Sequence, residues 1–135
     1  MAQGRSTAVE ARAACLALLL LLLLKGETVE SRIYTVGGHS GWKISAIDAI
    51  AKWADDVQRN NTIRIDDKLY FKYTPGQANV AVVTGEAYNR CVLNPGALVY
   101  EEGSNTISLS RENNYFISTL NDGCSKGLKL GIKAL

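Results

Sequence analysis

Apolar and polar residues fall into three regimes along the chain. From Ala13 to Leu24 the apolar residues run without a break, from Ile47 to Ala54 they recur at helical spacing, and from Thr62 onward they alternate with polar ones. The middle regime predicts one short helix, because Ile47, Ile50, Ala51 and Ala54 share a face and Ser45-Ala46-Ile47-Asp48 has the form of a capping box. The third regime predicts strands. Thr62 to Ile65 and Leu69, Phe71 and Tyr73 alternate on either side of an Asp66-Asp67 turn, and Pro75-Gly76 closes that pair. Val80 to Val82, Leu98 to Tyr100, Thr106 to Leu109, Asn114 to Ser118 and the alternating Leu128, Leu130, Ile132 and Ala134 add further strands, with Asn94-Pro95-Gly96 as a long turn. A short strand from Ile33 to Val36, ending at Gly37-Gly38, precedes them all. Seven or eight strands with one or two short helices predict an all-β, antiparallel Greek-key sandwich.

The first regime belongs to something else. Arg5 and Arg12 precede the apolar run and polar KGETVES follows it, and the run is too short for a helix to cross a hydrocarbon core of about 30 Å. Val29 and Ser31 are small enough to flank a cleavage site, so residues 1–31 are expected to be a secretory signal peptide and 32–135 one mature domain; an uncleaved membrane anchor is the alternative. The chain is then secreted, with no membrane span, and its thiols meet an oxidising compartment. From Arg32 onward, 12 Lys or Arg face 10 Asp or Glu without any basic run, which argues against nucleic acid as a partner. Cys15 leaves with the leader, so Cys91 and Cys124 remain as the plausible disulfide. Its 33-residue separation predicts a stabilisation of about 3.5 to 4 kcal/mol on the chain-entropy account. A free catalytic thiol is the alternative, and neither cysteine has a histidine close in sequence.

Candidate chemistry is sparse. His39, the single histidine, stands in a Gly-rich loop and cannot form a specific metal site alone. Asp66-Asp67 and Glu101-Glu102 read as turn residues, since neighbours on a strand face opposite ways. No serine lies in a nucleophile-elbow pattern, so no enzyme activity is expected. Asn60-Asn61-Thr62 is a glycosylation sequon, expected in a polar loop. Among Trp42, Trp53, Tyr70, Tyr73, Tyr88 and Tyr100, most are expected in the core or on its flanks.

YTVGGHSGW near the mature start, the strand DDKLYFKYTP, the segment ANVAVV, Tyr88 followed by Cys91, and the closing YFIS…C…GLKLGIKAL together resemble the phytocyanins, secreted plant cupredoxins, across the whole mature region. With no proline-rich stalk or apolar tail after Leu135, the chain is similar to the plantacyanin or basic blue branch. The resemblance implies a type 1 copper held by two imidazoles, a thiolate and a weak axial group. Carried over one at a time, those ligand positions fall on Ala78, Ser118, Gly123 and Leu128, and all four are vacated. The loop spacing survives, with four residues between Ser118 and Gly123 and four between Gly123 and Leu128. A cupredoxin fold without its metal, as in early nodulin-like members, is therefore expected, with no cofactor. Its expected role is as a secreted, monomeric binding or signalling module of the plant cell surface or wall, the apoplast. It would act on a cell-wall or cell-surface protein or glycan, with peripheral association at the plasma membrane. Electron transfer at an altered copper site is the alternative, and a wall protein crosslinked through tyrosines is a third reading with no motif in its favour.

Overall fold

The structure, a computed structural model, describes residues 30–135; the expected leader lies outside the described residues apart from Glu30 and Ser31. The alternating segments pair into two sheets. One holds β1 (Ile33–Thr35), β2 (Lys68–Lys72) and β5 (Ser104–Ser108) in the order β1-β2-β5. The other holds β3 (Val80–Val83), β4 (Leu98–Tyr100), β6 (Glu112–Ile117) and β7 (Lys129–Ala134) in the order β4-β3-β6-β7. Every neighbouring pair is antiparallel except β1 with β2, which run parallel with Ile33 opposite Lys68. That is a correction to a purely antiparallel expectation, and its reason is topological: the helical segment between the two strands returns the chain to the same end.

Period-two patterning decides what the sheets bury. Leu69 and Phe71 of β2, Ile107 of β5, Val80 of β3, Phe116 of β6 and Leu130 and Ile132 of β7 meet in one core with Val36 and Trp42. Trp42 stands edge-on to Phe71 at 5.1 Å between ring centroids, and Phe71 meets Phe116 at the same distance, so three aromatics join the two sheets. Helix α1 (Ile47–Asn60) closes one flank by burying Ile50 and Val57 against this core. On the outer face of the second sheet, α2 (Gly85–Arg90) covers a smaller cluster of Ala81, Val83, Ala87 and Ile117.

Three local expectations are corrected. The Ser45 capping box does not form: a 3-10 turn over Ile44–Ala46 runs into the helix, and the Ile47 N–H donates to the Ile44 carbonyl instead. The helix continues to Asn60, so the sequon begins on its last residue and not in a loop. Ile63 and Ile65 form no strand; the Ile63 carbonyl accepts from the Leu135 N–H and the Ile65 N–H donates to the Leu135 carbonyl, leaving only a short link to the end of β7. The second short helix, within the expected one or two, lies over Gly85–Arg90, and the Thr84 hydroxyl caps it by accepting from the Ala87 N–H.

Cys91 and Cys124 are bridged, with 5.6 Å between their α-carbons, and so tie the end of α2 to the four-residue helix α3 (Gly123–Lys126). Beside the bridge, Tyr88 packs on Tyr115 at 5.0 Å, and the Lys129 ammonium sits 4.3 Å above the Tyr88 ring while donating to the Tyr88 carbonyl at 3.2 Å.

Cys91→Ala is expected to lower unfolding free energy by about 2–4 kcal/mol, read as a lower denaturant midpoint with a steeper slope, because the untethered unfolded chain exposes more surface. A second outcome concerns pH. Burial pushes the Tyr88 phenol above the ordinary tyrosine range, with Tyr115 adding to the shift; Tyr73 is raised too, by burial first and then by Glu102 and Glu101. Because the folded values lie above the unfolded one, this stability is fully present below about pH 10 and is lost as pH rises through the folded values. Tyr88→Phe keeps the ring under Lys129 and should flatten the alkaline decline measured by chemical denaturation at a series of pH values.

Candidate functional site

The start of β3, the end of β6 and the start of β7 lie at one end of the second sheet, because Ala81 pairs with Ile117 and Ile117 with Lys129. Backbone bonds then draw the connecting loop inward. The Cys124 N–H donates to the Ser118 carbonyl at 2.8 Å, the Leu128 N–H to the Gly123 carbonyl at 2.7 Å, and the Ser118 N–H to the Leu128 carbonyl at 3.1 Å. Ser118, Gly123 and Leu128 are therefore neighbours, and a β-carbon on Gly123 would stand 3.0 Å from the Ser118 β-carbon. Ala78 is buried beside them, joined through the next residue, whose N–H donates to Ser118 Oγ at 3.3 Å. All four residues that the sequence singled out come together, and all four are buried.

Asn79 organises this end. Its side chain is fully enclosed, with Nδ2 donating to Thr119 Oγ1 at 2.7 Å and Oδ1 accepting from the Thr119 N–H at 2.8 Å. Its own carbonyl accepts from Trp42 Nε1 at 2.9 Å. In the sequence this residue stands out only as the polar member of ANVAVV. The available signal was a carboxamide placed directly before an apolar strand, where burial demands that each of its polar atoms find a partner. Above it, Asn121 Nδ2 donates to the Gly76 and Gln77 carbonyls at 3.3 and 3.1 Å, so the loop is pinned to the turn that precedes β3. Asn121 and Asp122 take left-handed backbone conformations, with φ of 54° and 56°, which these two residue types tolerate better than most.

The remaining candidates lie elsewhere. His39 is exposed in a 3-10 turn over Gly38–Ser40. Asp66 is exposed, whereas Asp67 is buried and accepts the Arg32 and Arg64 N–H groups at 2.8 and 2.9 Å, which is a structural use of its charge. Glu101 and Glu102 are exposed; a hydrogen bond from Asn105 at 2.8 Å holds the Glu102 carboxyl below the usual carboxylate range. The two acidic pairs form no joint site.

A type 1 copper needs two imidazoles and a thiolate in a trigonal set. Ala78, Gly123 and Leu128 offer no side-chain donor, the Ser118 hydroxyl already faces the Asn79 amide, and Leu128 is wholly enclosed. Among the described residues no three His, Cys, Asp or Glu side chains gather as a metal-holding group. The residues at this end do not fit the ion.

Comparison with known proteins places this architecture. A family profile described as a plastocyanin-like domain matches residues 42–128. The chain is 37% identical to a chemocyanin of Lilium longiflorum over 135 residues, covering 99% of each. It is 31% identical to a basic blue protein of Arabidopsis thaliana over the full length of both, and 38% identical to early nodulin-like protein 22 of the same plant across 87% of this chain and 81% of that one. Among solved structures it is similar to cucumber basic protein, a blue copper protein, with a TM-score of 0.65 at 32% identity, covering 76% of this chain and 99% of that one.

The fourfold variant Ala78→His, Ser118→Cys, Gly123→His and Leu128→Met supplies two imidazoles, a thiolate and an axial sulfur at positions that already converge. It should bind Cu(II) with a blue thiolate-to-copper band, while a threefold control retaining Ser118 should not. The close approach at Gly123 means that the Ser118 side must yield by a few tenths of an ångström, so binding is expected to be weak. A folded fourfold variant that stays colourless in optical titration would mean that these are not the ligand positions.

Proposed function

This chain belongs to the phytocyanins, a plastocyanin-like family, and from that premise we propose that it is a secreted, metal-free member acting as a binding or signalling module of the plant cell surface or wall. The observation that carries the reading is the donor set at the loop end: three residues without a side-chain donor and a serine hydroxyl engaged with Asn79, where a type 1 ion would demand imidazole and thiolate. Retention of the scaffold without those donors leaves recognition by its surface as the role. Exposed Val92 and Leu93 after α2, and Leu98 and Val99 on the edge strand β4, support it, being apolar groups that the core does not use. The partner class is a wall or surface protein or glycan, and the chain works as a monomer without catalytic chemistry.

Secretion is part of the same proposal. It rests on the apolar run and the cleavage pattern ending at Ser31, and on a disulfide of the kind that persists in oxidising compartments. No helix among the described residues is long and apolar enough to cross a membrane. The second reading, electron transfer at an altered copper site, draws on the likeness to cucumber basic protein, a blue copper protein.

The two readings part on a single titration. The purified mature domain, given one equivalent of Cu(II) and then gel-filtered, should retain no stoichiometric copper and show no blue band. Retention of one copper per chain with a charge-transfer band would sink the metal-free reading in favour of the electron carrier.

A further inference from the structure

Between α1 and the turn that follows β1 lies an open groove of about 480 Å³, walled on one side by Gly37 and Ser40 and on the other by Ala49, Lys52, Trp53, Asp56 and Asn60. Its volume falls within the range of about 300–1,000 Å³ common for small-ligand sites. The helical wall is ordered by spacing. Ala49, Trp53, Asp56 and Asn60 are separated by four, three and four residues and so share one face of α1. Trp53 is half-buried: part of its indole packs on the core and the rest lines the groove. An aromatic surface flanked by an ammonium, a carboxylate and a serine hydroxyl is the chemistry that receives a pyranose, whose C–H face needs an apolar plane and whose hydroxyls need both donors and acceptors.

The attachment point for such a sugar is on the same wall. Asn60 opens the sequon Asn60-Asn61-Thr62 as the last residue of α1, it is exposed, and Asn61 after it is extended, with φ of −137° and ψ of 151°. Asn61 is spoken for: its Nδ2 donates to the Val57 carbonyl at 3.2 Å and its Oδ1 accepts from Arg32. Among the described residues no side chain bonds to the Asn60 amide. We infer that Asn60 carries an N-linked glycan whose core sugars fold back along α1 into the groove and stack on Trp53. The inference rests on the secreted reading, because the modification occurs in the secretory lumen. The donor is a polyprenyl-pyrophosphate-linked oligosaccharide. A bond forms between Asn60 Nδ2 and the anomeric carbon, the anomeric carbon–phosphate oxygen bond breaks, Nδ2 loses one proton, and the lipid pyrophosphate leaves. From Asn60 back to Trp53 is about 10 Å along the helix axis, a distance that a short N-acetylglucosamine core can follow.

The two tryptophans make the arrangement measurable. Trp42 is fully enclosed, so acrylamide quenching of the intrinsic fluorescence reports Trp53. The full chain is expressed in cultured plant cells and collected from the medium, and its intact mass and quenching are recorded before and after treatment with a peptide N-glycosidase. Asn60→Gln and Thr62→Ala variants are carried in parallel. The expected result is a glycan mass absent from both variants. The glycosylated chain should show blue-shifted emission and loss of quenching, both reversed by the glycosidase. A glycan mass with unchanged quenching overturns the seat on Trp53. A secreted chain without added mass overturns the modification while leaving the secreted reading intact. An unmodified chain retained inside the cell, leader uncleaved, overturns the secreted reading and the inference with it.

Discussion

The arrangement at the loop end depends on one buried carboxamide. Asn79 stands where β3 begins, and its side chain makes a two-way bond with Thr119, so the chain leaving β6 is held against the chain entering β3. Its backbone carbonyl fixes the indole of Trp42, which stands edge-on to Phe71, and Phe71 in turn meets Phe116 across the two sheets. A buried amide left without partners would cost roughly 1–3 kcal/mol per orphaned group. The geometry is therefore enforced from both sides: leaving Asn79 unpaired is costly, and pairing it fixes Ser118 and Thr119.

That constraint explains how the loop end is held in shape by bonds of the chain itself. In a metal site the ion draws its ligands together, and removing it leaves polar groups facing a void. Here backbone bonds among Ser118, Gly123, Cys124 and Leu128 close the loop, Leu128 fills the interior, and Gly123 allows an approach that a larger residue would crowd. Gly127, at φ 112°, ends α3 in a conformation that side-chain-bearing residues rarely adopt, and a β-carbon there would press on Ile47 of α1. The same few residues thus seat the loop on β6 and bring the flanking helix against it.

Much of this was legible in the chain. Period-two alternation located β2 and β7, whose buried positions alternate with more exposed ones, whereas β3 and the end of β6 read as apolar runs because both of their faces are covered; Ala78, Ser118, Gly123 and Leu128 stood far apart in the chain and are gathered by the fold. The failures have separate causes. Ile63 and Ile65 alternate as a strand would, yet Ile63 is buried by the end of β7 and Ile65 lies exposed. The parallel pairing of β1 was hidden because three residues carry too little pattern to reveal direction. The roles of Asn79 and Asp67 were hidden because polar residues read as surface until burial and partners are known. The helix over Gly85–Arg90 announced itself only through Thr84 and Glu86, a weak signal beside the valines that precede it.

The bridge between Cys91 and Cys124 encloses β4, β5 and β6, two strands of one sheet and one of the other. Pairings in this fold are distant along the chain: Ile33 meets Lys68, and Lys68 meets Ser108. Folding rate in such topologies is governed by the entropy of closing long loops before the contacts repay it. A chain that unfolds with the bridge intact keeps a tether from the end of α2 to the start of α3, across strands of both sheets, so part of that search is already complete. The bridge thus does more than add stability: it shortens the loops that remain to be closed when strands of the two sheets find one another.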